Sequence, residues 1–143
     1  MRRLSLVGFA LIVIALGALL IIHAVFSSKP WAIALQVAAA LLMLWARVTF
    51  GMRSFHADAR PTAGGLVTTG PYRYIRHPIY AAIGLFLWAG IFAHVSSLAI
   101  VLGIVATIGI LVRLHCEETL VTELYPEYRA YAARTKRLVP GLW

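Results

Sequence analysis

The chain is 143 residues long, 62% hydrophobic and only 13% charged, with a mean hydropathy of +0.86. An ordinary soluble domain is about 45–50% apolar and about 25% charged, so a water-soluble fold is excluded and an integral membrane protein is expected. Cys116 is the single cysteine, and with no CxxC and no Cys/His ligand set, a disulfide scaffold and a structural zinc site are excluded as well.

In chain order, Leu4 to Phe26 is a 23-residue run without charge, interrupted only by Ser5 and His23. As helix it reaches about 34 Å, enough for a hydrocarbon core of about 30 Å. Arg2 and Arg3 before it resemble a signal peptide's opening. The run is too long for that, and no clear cleavage site follows, so a retained span is expected. After the turn Ser27-Ser28-Lys29-Pro30, Trp31 to Ala46 is a second, shorter span with Gln36 inside and Trp31 and Trp45 near its ends, as interfacial anchors are placed.

Arg47 to His77 holds Arg47, Arg53, Arg60, Arg73 and Arg76 against one acid, Asp58. Pro61, Gly64, Gly65, Gly70 and Pro71 predict loop there rather than one helix. Ile79 to Ala93 and Leu98 to Val112 are apolar runs of about 22 Å each as helix, short for a full crossing unless their flanks extend them or the bilayer thins. The expected architecture is therefore all-α and polytopic. It has about four transmembrane helices in one domain, divided into two N-terminal spans (1–46), a connector (47–78), a helical hairpin (79–112) and a C-terminal segment (113–143).

Four crossings put twelve of the thirteen cations on one side, with only Lys29 opposite. The positive-inside bias makes that side cytoplasmic, both termini included. It also accounts for the formal charge of +8 without nucleic acid, part of it resting against anionic lipid headgroups. The spans contain no Asp, Glu, Lys or Arg, which disfavours an ion-coupled transporter. His23 and His94 lie near span ends on the other side, where they read as interfacial. Chemistry is expected in the cytoplasmic segments.

Two stretches there stand out. One is Gly65-Leu66-Val67-Thr68-Thr69-Gly70-Pro71-Tyr72-Arg73-Tyr74-Ile75-Arg76-His77-Pro78-Ile79-Tyr80. The other is Glu117-Glu118-Thr119-Leu120, followed by Tyr125-Pro126-Glu127-Tyr128-Arg129-Ala130-Tyr131 and then Thr135-Lys136-Arg137-Leu138-Val139-Pro140. In this order, around a short hydrophobic hairpin, they closely resemble the isoprenylcysteine carboxyl methyltransferase family, itself related to the membrane phospholipid methyltransferases. The resemblance covers roughly Gly64 to Pro140, and Leu4 to Ala46 match only as generic span. It implies an S-adenosylmethionine-dependent methyltransferase, leaving S-adenosylhomocysteine as product, whose C-terminal half holds the cofactor while a lipophilic small-molecule acceptor arrives laterally from the lipid. A bacterial or archaeal inner membrane is the expected setting. One departure is Ala82, where the family usually has glycine two residues after the motif tyrosine. Its methyl group narrows any close approach of cofactor to backbone.

The residues make chemical sense of that implication. Methyl transfer from a sulfonium is an in-line displacement, so the protein mainly aligns two reactants and excludes water. Leu66, Val67 and the Gly64-Gly65 and Gly70-Pro71 pairs shape a loop whose backbone can reach a ligand, or simply punctuate the chain before the third helix. His77, with Pro78 at the first turn, either contacts the cofactor or caps a helix. Tyr72, Tyr74 and Tyr80 offer faces for a sulfonium, against the alternative of an interfacial belt. Arg76 is a candidate catalytic residue that holds an acceptor carboxylate or lipid phosphate, or else a positive-inside anchor. Glu117 is a candidate base and Glu118 a candidate acceptor for ribose hydroxyls or an ammonium, whereas an Arg113–Glu117 pair at i,i+4 is the structural alternative. His115-Cys116-Glu117-Glu118 is too compact for a metal site, and none is expected. A last amphipathic helix opens at Tyr125-Pro126 with Tyr128, Tyr131 and Ala132 on one side, either covering the cofactor pocket or capping the fold, and Trp143 is a further interfacial anchor.

Overall fold

The structure, a computed structural model, describes residues 1–51 and 65–141, without the side chain of Arg2. Arg53, Asp58, Arg60, Pro61, Gly64 and Trp143 lie outside the described residues. Five α-helices follow in order: α1 (Arg2–Ile21), α2 (Pro30–Phe50), α3 (Pro78–Ala93), α4 (Ser97–Leu124) and α5 (Tyr128–Arg134). A 3₁₀ turn at Gly70–Arg73 precedes α3. Among the described residues, α1, α2 and α4 are long and apolar enough to cross a membrane, while α3 is a shorter apolar helix of 16 residues.

Four boundaries differ from expectation. The first helix ends at Ile21 rather than running to Phe26, because the chain turns through His23. The second helix runs Pro30–Phe50, 21 residues, because Pro30 pre-sets its first turn and Arg47 suits the negative end of the helix dipole rather than ending the helix at Ala46. The fourth helix does not stop at Val112 but continues to Leu124. Its 28 residues span about 42 Å, more than a core of about 30 Å can cover, so the segment after Val112 projects from the apolar layer with Glu117 and Glu118 on it. The last helix is only seven residues and starts at Tyr128 rather than at Tyr125-Pro126, with Glu127 as its N-cap.

Packing is pairwise. In α1 the buried positions Ser5, Gly8, Ile12, Ala15 and Leu19 repeat at spacings of three and four, one stripe facing α4. Small residues let the two backbones close up: a Cβ on Gly8 would meet the Gly109 carbonyl oxygen at 2.8 Å. α2 lies along α3, and α3 returns antiparallel to α4, with the Trp88 indole N–H donating to Thr107 Oγ1 at 3.1 Å. At the far end the α1–α2 turn passes through His23 at φ 55°. Gln36 Nε2 donates to the Val25 carbonyl oxygen at 2.6 Å, and Gly90 leaves room for that same carbonyl. Ser96 caps α4 by accepting from the Ala99 N–H at 3.1 Å. This arrangement gathers the start of α1, the end of α2, the 3₁₀ turn, the start of α3 and the projecting part of α4 at one end of the bundle.

Candidate functional site

At that end the two motif stretches meet. The connector and the C-terminal strap pair through backbone: Arg76 N–H donates to the Lys136 carbonyl at 2.7 Å and His77 N–H to the Arg137 carbonyl at 3.0 Å, with Ile75 and Lys136 forming a parallel bridge. Pro78 then opens α3 and leaves His77 as its N-cap, buried and aimed at α4.

Glu118 is the hub. Its Oε1 accepts from Arg76 Nε at 2.8 Å and from the Tyr128 hydroxyl at 3.3 Å, and it lies 3.3 Å from His77 Nε2. Its Oε2 accepts from Arg137 Nε at 3.2 Å. Burial alone would raise this carboxyl, but the hydrogen bonds from His77 and Arg76 and their charges hold it down at about 2. Glu117 forms a second knot one residue earlier. Its Oε1 accepts from the Tyr80 hydroxyl and from Arg113 Nη2 at 3.2 Å, and its Oε2 lies 3.9 Å from His77 Nδ1. Arg113 Nε also donates to the Tyr80 hydroxyl at 2.8 Å, and its guanidinium stands 5.5 Å from the Phe9 ring centroid and 5.8 Å from that of Tyr80. His77 therefore bridges both acids. α4 continues past the pair, so the two acids stand away from its negative end, and the Arg113–Glu117 i,i+4 pair forms as well.

Arg76 is engaged on three sides. Besides Glu118, its Nη1 donates to the carbonyl oxygens of Ala132 (2.8 Å) and Thr135. It thereby clamps the strap to the connector, and among the described residues only its Nη2 lies outside these bonds. Tyr131 donates to the Tyr72 carbonyl at 2.6 Å. Burial pushes the Tyr131 hydroxyl up to about 12 and raises Tyr72 and Tyr128 further, the last with help from the Glu118 charge. All three stay neutral donors at ordinary pH.

Of the expected residues, the structure brings Arg76, His77, Glu118 and Tyr128 into one hydrogen-bonded knot and Tyr80 and Glu117 into a second beside it, with His77 Nδ1 3.9 Å from Glu117 between them and Tyr72, Pro78 and Tyr131 packed around. Leu66 and Val67 are half-buried and outside that cluster. Gly70, at φ 56°, backs onto Thr49 and Trp45 of α2, where a Cβ would come within 2.6 Å of Thr49 Oγ1, so its glycine serves the packing of the turn. Tyr74 is 56% exposed. Ala82 is buried within α3. Two members went unforeseen as site residues: Arg113, read only as a partner for Glu117, and Arg137, whose position three residues before Pro140 gave no hint that the strap folds back. Among the described residues no three metal-ligating side chains converge.

Beside the cluster lies an apolar cavity of about 620 Å³, within the range of ligand sites. α2 contributes Leu42 and Trp45, α3 the stripe Tyr80, Ala81, Gly84, Leu85 and Trp88, and α4 Thr107 and Ile110. The connector and strap close its polar end with Ile75 and Leu138 among others. Tyr80 belongs to both compartments, its ring in the cavity and its hydroxyl on Glu117 and Arg113.

A bundle of apolar helices thus carries an ionised cluster at one end with an apolar cavity beside it. The model of the phospholipid methyltransferase family matches residues 4–128, and the chain belongs to that family, whose members are methyltransferases. The match takes in α1 and α2, which carried no motif by eye. The nickel-cobalt-cadmium resistance protein NccN of Alcaligenes xylosoxydans xylosoxydans is 33% identical over 79 residues, 54% of this chain, and the chain spans 37% of that protein's length. No solved structure matches.

Proposed function

We propose that this protein transfers the methyl group of S-adenosylmethionine to a lipophilic or membrane-associated acceptor reaching it from the bilayer. The single observation that supports this best is the shared Tyr80 wall, which sets a charged cluster and an apolar cavity side by side within one family fold. Bound there, the cofactor supplies an activated methyl group, which moves from sulfonium sulfur to the acceptor and leaves S-adenosylhomocysteine.

The donor set fits a zwitterionic nucleoside. Glu118 and Glu117 are suited to an ammonium or ribose hydroxyls, and Arg137 to the cofactor's carboxylate. Leu66, Val67, Gly70, Tyr72, Tyr74, His77, Pro78, Tyr128 and Tyr131 complete the proposed holding surface. A carboxylate acceptor needs only orientation, the role we assign to Arg76. A protonated amine must first lose a proton, a role we assign to Glu117.

In the bilayer we take α3 as a fourth crossing, since its 16 residues run beside the apolar stretch of α4. The arginine-bearing end then faces the cytoplasm of a bacterial or archaeal inner membrane, with both termini there. Incubating the purified full-length protein with radiolabelled methyl donor and a lipid extract tests the reading. Label is expected in the organic phase, in a product identifiable by mass. Label confined to the aqueous phase would overturn the lipophilic acceptor.

A further inference from the structure

The glycines of α3 and α4 divide into two kinds. Gly90, Gly103 and Gly109 lack a side chain because something stands where it would be: the Val25 carbonyl at 2.1 Å, Ile91 Cδ1 at 2.6 Å and the Gly8 carbonyl at 2.7 Å. Gly84 has no such neighbour. A Cβ there meets nothing within 4 Å, its φ is not left-handed, and it stands mid-helix, where glycine costs stability relative to alanine. The space it leaves open belongs to the apolar cavity.

Beyond Gly84 the cavity ends on Trp88, which is fixed three ways. Its indole N–H donates to Thr107 Oγ1, its ring edge sits over Gly103 within about 3.2 Å of where a side chain would begin, and it packs on Phe92 with ring centroids 5.2 Å apart. Thr107 in turn donates to the Gly103 carbonyl at 2.8 Å, so the floor presents no idle polar group. From Tyr80 to Trp88 the slot runs about 12 Å along α3, its lining almost wholly apolar, with the Tyr80 hydroxyl turned to the charged cluster at one end.

Resting on the methyltransferase reading above, we infer that this slot holds the acceptor's hydrocarbon chain lengthwise, head at Tyr80, and that Trp88 is the residue that sets its length. Gly84 is the groove along which the chain passes. Straight acyl and branched isoprenoid chains share the chemistry this surface recognises.

The experiment uses the full chain in nanodiscs, with saturated and isoprenoid carboxylates of graded length carrying a photoactivatable diazirine at the methyl end. Labelled residues are read by mass spectrometry, and methyl transfer to the same series is measured in parallel. Chains that just fill the slot are expected to label Trp88 and Thr107, and the series that does so identifies the chain type. Gly84→Leu starts from a Cβ in open space, places its side chain in the slot and is expected to cut labelling about tenfold or more, while Trp88→Ala shifts the preferred length upward. Labelling without methyl transfer would sustain the slot and remove the enzymatic reading. Methyl transfer whose chain preference ignores both substitutions, or labelling scattered over lipid-facing residues, would overturn the slot alone. Should Trp88→Ala fail to fold, Gly84→Leu together with Trp88→Phe still decides the matter.

Discussion

The two helix pairs of this bundle treat space in opposite ways. Between α1 and α4 the backbones nearly touch, each of Gly8 and Gly109 making room for the other's carbonyl oxygen. Along α3, by contrast, Gly84 faces open space that merges with the cavity. In lipid, small residues normally allow helices to close upon one another. Here the same residue type serves two ends. One pair is a scaffold that fixes where Glu117 and Glu118 stand, and the other keeps room for a molecule.

The contrast can be broken most severely at the scaffold's polar end. Glu118→Ala leaves Arg76, His77 and Arg137 together without their shared carboxylate. Removing one partner of a partly buried charged cluster costs on the order of 1–3 kcal/mol, to be seen as a lower melting temperature in detergent. The same carboxylate gives a pH test. Its pKa, near 4.5 when unfolded, is about 2 in the folded chain. The stabilisation is therefore fully present above about pH 5 and is lost as pH falls through 4.5 toward 2. Melting temperature is expected to be level at neutral pH and to decline below that point, and Glu118→Gln is expected to flatten the decline.

Smaller substitutions sharpen the comparison itself. Gly109→Leu must push two backbones apart and is expected to destabilise by about 1–3 kcal/mol or more. The identical change at Gly84 starts from a Cβ that meets nothing within 4 Å and is expected to lower the melting temperature far less than at Gly109. Gly84→Ala, the mildest, is expected to stabilise by about 0.5–1 kcal/mol through helix propensity alone. Loss of stability at Gly84 comparable to that at Gly109 would erase the distinction between the pairs.

Much of this was legible in the residues. Apolar run lengths located the helices, and charge placement anticipated that Arg76 and Glu118 share one end. Boundaries failed where charge was read as an end signal: Arg47 and Arg113 both continue their helices, because an arginine at the edge of an apolar run is a good helix former. The Arg113 and Arg137 contacts were hidden because they depend on tertiary return, Arg137 reaching Glu118 only once the strap pairs with Ile75. The cavity was hidden for a different reason. Gly84 and Trp88 are ordinary members of an apolar run, and only their neighbours, or lack of them, separate a packed glycine from a vacant one.

The most direct measurement is calorimetric titration of S-adenosylhomocysteine into the purified full-length protein, beside His77→Ala and Glu118→Gln variants whose melting shows them folded. Micromolar binding by the unaltered chain, abolished in both variants, is the expected result. A well-folded preparation that takes up none of the nucleoside would contradict the proposal that the connector and the twin glutamates form one cofactor pocket.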